Sequence, residues 1–319
     1  MVYFDNSDTV TLHTSGSTGA PKEIIVEKSR LRASAEATCR FLGLRAGQRA
    51  LLCLSTDYIA GLMMVVRADV AHLELISQKP SSHPFANEGR IIHFAALTPM
   101  QVYSTLSVPR EAERLKRVKK LIIGGGAISP ELERKLRRFP NAVYSTYGMT
   151  ETLSHIALRR ISGRNASKYY KPMEGVSLSL TDDSRLVIDA PRIATTKLIT
   201  NDIVAFRHNS NEFKILGRAD FAINSGGIKV HPEQVELALN KYIKYPFAIV
   251  GTSDEKFGQV VTMVIDATEE QISDQALNEI FTTALQPYHK PRRIVRHSIP
   301  TTSNGKIARR QLIDEINSL

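Results

Sequence analysis

The sequence predicts an α/β protein: a large N-terminal domain on a mostly parallel sheet with a small β-subdomain, then a small α+β domain at the C-terminus. Three observations carry this. Through about residue 150, short apolar runs alternate with helical stretches, and loops rich in glycine and hydroxyls follow the strand ends. From Lys171 the chain changes to closely spaced short strands. Gly217-Arg-Ala-Asp220 then reads as a joint, and the stretch beyond it, about a hundred residues, has the size of a small separate domain.

Val10–His13 reads as a buried strand leading into Thr14-Ser-Gly-Ser-Thr-Gly-Ala-Pro-Lys22. Glu23–Val26 is short and extended, Glu27–Leu42 helical, and Ala50–Leu54 a core strand. Ile59–Ala71 is apolar at helical spacing and contains Arg67, an unusual residue there. Ile91–Ala95 predicts a strand and Pro99–Leu106 the helix after it. Lys120–Ile123 is a strand that runs into Gly124-Gly-Gly-Ala127, and Ser129-Pro130-Glu131 starts a capped helix. Ala142–Ser145 is the next strand, ending at Tyr147-Gly-Met-Thr-Glu-Thr152. Val176–Leu180, Leu186–Ile188, Lys197–Leu198, Ile203–Ala205 and Phe213–Leu216 predict the hairpins of the β-subdomain. In the C-terminal unit, a helix spans His231–Asn240, and strands Ala248–Gly251 and Val260–Asp266 face each other across a Gly258 turn. A helix over Asp274–Leu285, a strand over Ile294–His297 and a helix over Ala308–Asn317 complete it.

The chain has 319 residues, 42% of them hydrophobic, enough for a substantial core and about two domains. No apolar run approaches the ~20 residues that span a bilayer, and the N-terminus lacks the basic and apolar regions of a secretory signal. The two cysteines, Cys39 and Cys53, show no metal spacing and suit a reducing cytoplasm. A net charge of +10 favours anionic partners. The positive charge gathers in Arg110–Lys120, Glu133–Arg138 and Lys290–Arg296. Interleaved glutamates and leucines make the first two solvated helix faces. Aromatic interleaving, zinc-finger spacing and RNP-type motifs are all missing, so nucleic acid is not an expected partner.

The Thr14–Lys22 loop has the composition of a phosphate cradle: small residues let backbone N–H groups approach an anion, and hydroxyls and an ammonium add donors. It is not a Walker A loop, because Pro21-Lys22-Glu23 stands where Gly-Lys-Ser/Thr is required. By itself it reads equally as a Ser/Gly turn with a solvated lysine. The ordered set is more specific. Thr14–Lys22, Gly124–Ala127, Tyr147–Thr152, Asp202, Gly217–Asp220, Ser225-Gly-Gly-Ile-Lys229 and Asn304-Gly-Lys306 together resemble the core motifs of the adenylate-forming superfamily, which contains acyl-CoA synthetases, peptide-synthetase adenylation domains and luciferases. The resemblance runs from about Thr11 to Leu312.

That resemblance implies an N-terminal ATP- and acid-binding domain over 1–217 and a mobile C-terminal domain over 218–319, hinged near Asp220 and carrying the catalytic lysine, Lys306. Thr14, Ser15, Gly16, Ser17, Thr18, Gly19 and Lys22 would hold the β- and γ-phosphates of ATP. Gly125, Gly126 and Ala127 match the strand end against which adenine packs, and Tyr147 would cover the adenine face. Thr150 would hydrogen-bond the α-phosphate, and Glu151 would help hold Mg²⁺. Asp202 would accept the ribose hydroxyls, with an Asn-Asp turn between strands as the alternative account, and Arg218 would contact ribose and phosphate. The implied reaction joins a carboxylic acid to AMP and then to a thiol. Gly226, Gly227 and Lys229 belong to the loop that faces the thiol, with coenzyme A favoured over a carrier-protein thiol.

Within the superfamily, Tyr147–His155 and Leu62-Met-Met-Val-Val-Arg67 resemble the o-succinylbenzoate–CoA ligases of menaquinone biosynthesis. Their substrate is a dicarboxylate, and Arg67 would meet its non-reacting carboxylate, with Ser154 and His155 touching its polar groups. A snorkelling or salt-bridged helix residue is the bland account of Arg67, and a structural histidine that of His155. Three departures stand out. Nearly all of the segment that the family usually carries before the phosphate loop is missing here, and the two expectations are a naturally short form or sheets that close by homodimerisation. Tyr58 stands where relatives commonly carry a histidine at the acid pocket. Ile228-Lys229 replaces the usual pair in the loop on the thiol side. The alternatives are a ligase for another aryl or fatty acid, or a non-catalytic nucleotide-binding homologue.

Overall fold

The computed structural model describes residues 2–13, 23–302 and 307–319. Thr14–Lys22 and Lys306 lie outside the described residues. Contacts gather the chain into two compact units: Met1–Ser179 with Val187–Ile199 and Phe206–Lys214, and Leu180–Leu186 with Thr200–Ala205 and Ile215–Leu319.

Strands β1 (Thr9–His13) and β2 (Glu23–Glu27) pair antiparallel as a two-stranded hairpin, with Thr9 opposite Glu27 and His13 opposite Glu23. The expectation of a buried strand holds only in part, since Val10 is buried and Thr11 exposed. Helix α1 (Lys28–Leu42) follows directly and ends on Gly43 in the left-handed region (φ 59°). Its buried face, Leu31, Ala35, Thr38, Cys39 and Leu42, repeats at helical spacing and includes a threonine. Next come β3 (Arg49–Leu52), α2 (Ile59–Val70), β4 (Glu74–Ser77), β5 (Phe94–Leu97), α3 (Pro99–Leu106), α4 (Pro109–Lys116), β6 (Lys120–Ile123), α5 (Pro130–Arg137) and β7 (Ala142–Gly148).

The main sheet has the order β4-β3-β5-β6-β7-β8-β9, where β8 is His155–Arg160 and β9 is Lys171–Pro172. The first five strands are parallel and the last two antiparallel. The central strands β5 and β6 are almost wholly apolar and buried because both faces are covered. On one face Leu51, Ala95, Leu121 and Val143 pack with residues such as Val102, Leu115, Leu132 and Leu136 of the helices. The expected α/β class and mostly parallel sheet are therefore present. The basic run at Arg110–Lys120 supplies α4, with Ala112 and Leu115 turned inward. The strand expected at Ile91–Ala95 lies instead at Phe94–Leu97, and β4 was not anticipated.

Four further strands, β10 (Ser177–Leu180), β11 (Arg185–Asp189), β12 (Leu198–Phe206) and β13 (Phe213–Arg218), form one sheet in that order. Two short strands expected at Lys197–Leu198 and Ile203–Ala205 are one continuous β12, and β13 runs through Gly217 and Arg218.

The C-terminal segment adds β14 (Ile223–Ser225), β15 (Ile228–Val230), α6 (Pro232–Leu239), β16 (Phe247–Asp254), β17 (Gly258–Ile265), α7 (Asp274–Ala284), β18 (Arg293–Arg296) and α8 (Arg309–Asn317). Its sheet is mixed: β17 is antiparallel to β16 and β14 and parallel to β18. Alternation along β16 and β17 gives the sheet two apolar faces. Ile249 and Met263 pack with Val235 and Leu239 of α6 and Leu277 and Phe281 of α7, while Ala248, Val250 and Val264 pack with Leu312 and Ile316 of α8. The buried Arg309 of α8 forks onto Glu236 of α6 through bonds of 2.8 and 2.9 Å.

Candidate active site

In the first unit Gly125–Ala127, Tyr147, Thr150 and Glu151 lie at the carboxyl ends of β6 and β7. Gly125 (φ 79°), Gly126 and Ala127 form the turn after β6, before Ser129 caps α5 by accepting the Leu132 N–H at 3.2 Å. Strand β7 carries Tyr147 and Gly148 to a 3-10 turn, Thr150–Thr152, in which Glu151 is exposed and Thr152 fully buried. Thr152 Oγ1 accepts the Met149 N–H at 2.9 Å, and the Leu153 N–H donates to the Thr150 carbonyl at 2.8 Å. A Cβ at Gly148 would lie 2.3 Å from the Ser154 carbonyl oxygen and 2.5 Å from the His155 Cα, so only glycine lets the turn fold back this tightly.

Tyr147 is buried edge-on against Phe213, with ring centroids 5.1 Å apart. Phe213 stacks on Tyr170 at 5.6 Å, and the Arg159 guanidinium lies over Tyr170 at 5.6 Å. Arg159 in turn forks onto Glu133 of α5 with two bonds of 2.8 Å. Burial alone would lower the Arg159 pKa, yet the Glu133 carboxylate and Tyr170 hold it above its usual range. Tyr170 Oη and Ser145 Oγ are 2.9 Å apart. This pile fixes the end of β7 from behind.

Arg67, on α2, is 2% exposed. Its Nη2 donates to Ser154 Oγ at 2.6 Å, while its buried Nε has no hydrogen-bond partner among the described residues. Nor does Arg67 make an ion pair there, unlike the other buried arginine, Arg309. Burial pushes the Arg67 pKa down to about 10, which still leaves it charged at neutral pH. The Cys39 thiol donates to the Arg67 carbonyl at 3.7 Å, and burial pushes it up to about 11, so it supplies no counter-charge. His155 Nδ1 is 3.3 Å from Ser154 Oγ, and Nε2 is 3.1 Å from Thr38 Oγ1 of α1. Burial first, and then the Arg67 charge, hold His155 well below the usual histidine range, so the imidazole is neutral. Tyr58, by contrast, is exposed at the N-cap of α2, about 13 Å along the helix axis from Arg67.

The second unit holds others of the predicted residues. Asp202 sits within β12 rather than in a turn, which removes the Asn-Asp turn account, and its N–H donates to Thr200 Oγ1 at 3.1 Å. Arg218, at the end of β13, reaches Asp202 at 3.7 Å and forks onto Asp220 with bonds of 3.0 and 2.9 Å. The Asp220 bonds hold the Arg218 guanidinium above its usual range. Gly226 (φ 57°) and Gly227 (φ 84°) make the two-residue turn of the β14–β15 hairpin, which requires positive φ at both positions, and Lys229 is exposed on β15. The loop expected here is thus a hairpin.

Among the described residues no group of three or more His, Cys, Asp and Glu could hold a metal ion by protein ligands alone. Exposed Glu151 beside Thr150 fits an ion such as Mg²⁺, which takes a single carboxylate together with phosphate oxygens and water. No described helix is long and apolar enough to cross a membrane. Sequence reasoning missed Thr38, Phe213, Tyr170 and the Glu133–Arg159 fork. Of these only Thr38 left a signal, as a polar residue on the apolar face of α1.

A mostly parallel sheet with these turns at the carboxyl ends of its strands matches the fold of adenylate-forming enzymes. The chain belongs to the AMP-binding enzyme family, whose model matches residues 4–191. It is 26% identical to a 2-succinylbenzoate–CoA ligase of Listeria monocytogenes over 329 residues, covering 94% of this chain and 68% of that protein. A solved acyl-CoA synthetase (AMP-forming)/AMP-acid ligase II-like protein from Dyadobacter fermentans is 33% identical, with a TM-score of 0.67, covering 98% of this chain and 91% of that one. ATP-bound MatB of Rhodopseudomonas palustris shares the fold at 18% identity, with a TM-score of 0.80 over 96% of this chain and 68% of that one.

Proposed function

We propose that this adenylate-forming acid–CoA ligase acts on o-succinylbenzoate, forming its adenylate and then its CoA thioester. The observation that carries the substrate is Arg67, a buried guanidinium with no anionic partner among the described residues, hydrogen-bonded to Ser154, which lies two positions beyond the Tyr147–Thr152 turn. A cation buried without a counter-ion is costly, and a ligand carboxylate offsets that cost when it binds. A dicarboxylic acid places one carboxylate there and keeps the other for chemistry. Relatives named 2-succinylbenzoate–CoA ligase support the choice of acid.

In the proposed reaction the reacting carboxylate attacks the α-phosphorus of ATP, the bond to the β-phosphate breaks and pyrophosphate leaves. Thr150 donates to the α-phosphate, the turn behind it is held rigid by Thr152, and Mg²⁺ at Glu151 would offset phosphate charge. Asp202 accepts the ribose hydroxyls and Arg218 lies beside it. The CoA thiol then attacks the acyl carbonyl, forming the thioester and releasing AMP. Lys22 and Lys306 are assigned to the phosphates and to the adenylation step, and Asp220 to the hinge, from the motif resemblance.

ATP–pyrophosphate exchange over o-succinylbenzoate, simple benzoates and short and long fatty acids, followed by CoA addition with mass detection, tests this. Exchange confined to o-succinylbenzoate, with its CoA ester as product, is expected. Exchange with a different acid would keep the enzyme class and overturn the substrate.

A further inference from the structure

We propose that Thr38 and His155 are positioning residues that make the Arg67 site selective for acids with a second carboxylate. This rests on Arg67 as the anchor of the acid. Four groups form one buried chain: Arg67 Nη2 to Ser154 Oγ (2.6 Å), Ser154 Oγ to His155 Nδ1 (3.3 Å), His155 Nε2 to Thr38 Oγ1 (3.1 Å), and Thr38 Oγ1 to the Ser34 carbonyl (3.1 Å).

The proton directions follow from counting hydrogens. The Thr38 hydroxyl spends its one hydrogen on the Ser34 carbonyl, one turn back on α1, so toward His155 it accepts. A neutral imidazole therefore carries its hydrogen on Nε2, and its bare Nδ1 accepts the Ser154 hydroxyl hydrogen. Ser154 then presents only lone pairs to Arg67. The serine cannot rotate to a donor state, and the guanidinium is pinned by one nitrogen. Its Nε, buried and unpartnered among the described residues, leaves the guanidinium one acceptor short until an anion pairs with it. Pinning the donor before binding removes an ordering cost that binding would otherwise carry. Neither Thr38 nor His155 needs to touch the acid for this.

The test compares the KM of o-succinylbenzoate in ATP–pyrophosphate exchange with the Ki of 4-oxo-4-phenylbutanoate, the same skeleton without the ring carboxylate, as a competing acid. In Thr38→Val the KM rises roughly threefold to tenfold, as expected for loss of one buried hydrogen bond, while kcat and the Ki stay within about twofold. Thr38→Ser restores the wild-type KM. A rise in KM and Ki together, or in neither, overturns the inference while Arg67→Met still raises the KM alone. If Arg67→Met moves KM and Ki equally, the Arg67 anchor itself falls, and the inference with it. Should Thr38→Val not fold, ¹⁵N spectra of the wild-type imidazoles decide: a neutral His155 protonated on Nε2 is required, and protonation on Nδ1 refutes the chain.

Discussion

A guanidinium buried without an anion works against folding, and Arg67 is retained in that state with one hydroxyl as its partner. Arg67→Met, which keeps the apolar stem, should raise stability by about 1–3 kcal/mol in urea titrations at pH 7. A fall instead would mean that the Ser154 bond outweighs the desolvation of the charge. His155 gives a second prediction. Its folded pKa lies below the unfolded value of about 6.5, so the unfolded chain binds more protons beneath that pH. Stability therefore falls as pH drops below about 6.5, by up to about 1.4 kcal/mol per unit from this group, until the folded pKa is reached. His93 and His231 are shifted the same way by burial. The difference between the wild-type and His155→Gln stability curves isolates His155, and parallel curves from pH 7 to 5 would contradict the account. At this scale, Arg67 was legible as a cation on an apolar helix. Its link to Thr38 through His155 was not, because Thr38 and His155 are 117 positions apart and meet only when α1 packs beside β8.

At the scale of elements, the β7 turn positions the chemistry because its backbone closes on itself. Gly148→Ala puts a methyl group against the Ser154 carbonyl and the His155 Cα, so backbone has to move. The expected cost is about 1–3 kcal/mol in stability, with exchange activity falling about a hundredfold as Thr150 and Ser154 are displaced together. Denaturation and exchange measured on the same preparation check both, and unaltered activity would show that the turn tolerates the shift. The sequence specified strands and helices well where pattern is local: the Ser129 cap and the Pro99 start both lie where the residues place them. It failed where pairing is non-local. The antiparallel β8 and the joining of two apolar pieces into β12 depend on neighbouring strands that no local pattern announces. The same holds for the stack of Tyr147, Phe213 and Tyr170, assembled from three distant strand ends.

At the scale of the whole molecule, the predicted residues are distributed over two units, with Thr150, Glu151 and Arg67 in one and Asp202, Arg218, Asp220 and the Gly226–Gly227 hairpin in the other. The proposed reaction uses the C-terminal segment twice, once to deliver Lys306 and once to bring the hairpin to the thiol. Lys306→Ala should then abolish adenylation and spare thioester formation from supplied acyl-adenylate. Equal loss of both half-reactions would contradict a C-terminal segment that serves the two steps in turn. The central claim is tested most directly by kcat/KM for o-succinylbenzoate in ATP–pyrophosphate exchange, compared between the wild type and Arg67→Met. A fall of about 10- to 100-fold, the worth of a desolvated charged pair, is predicted for the variant. Exchange with o-succinylbenzoate that is absent in the wild type, or equal in the two proteins, would contradict it.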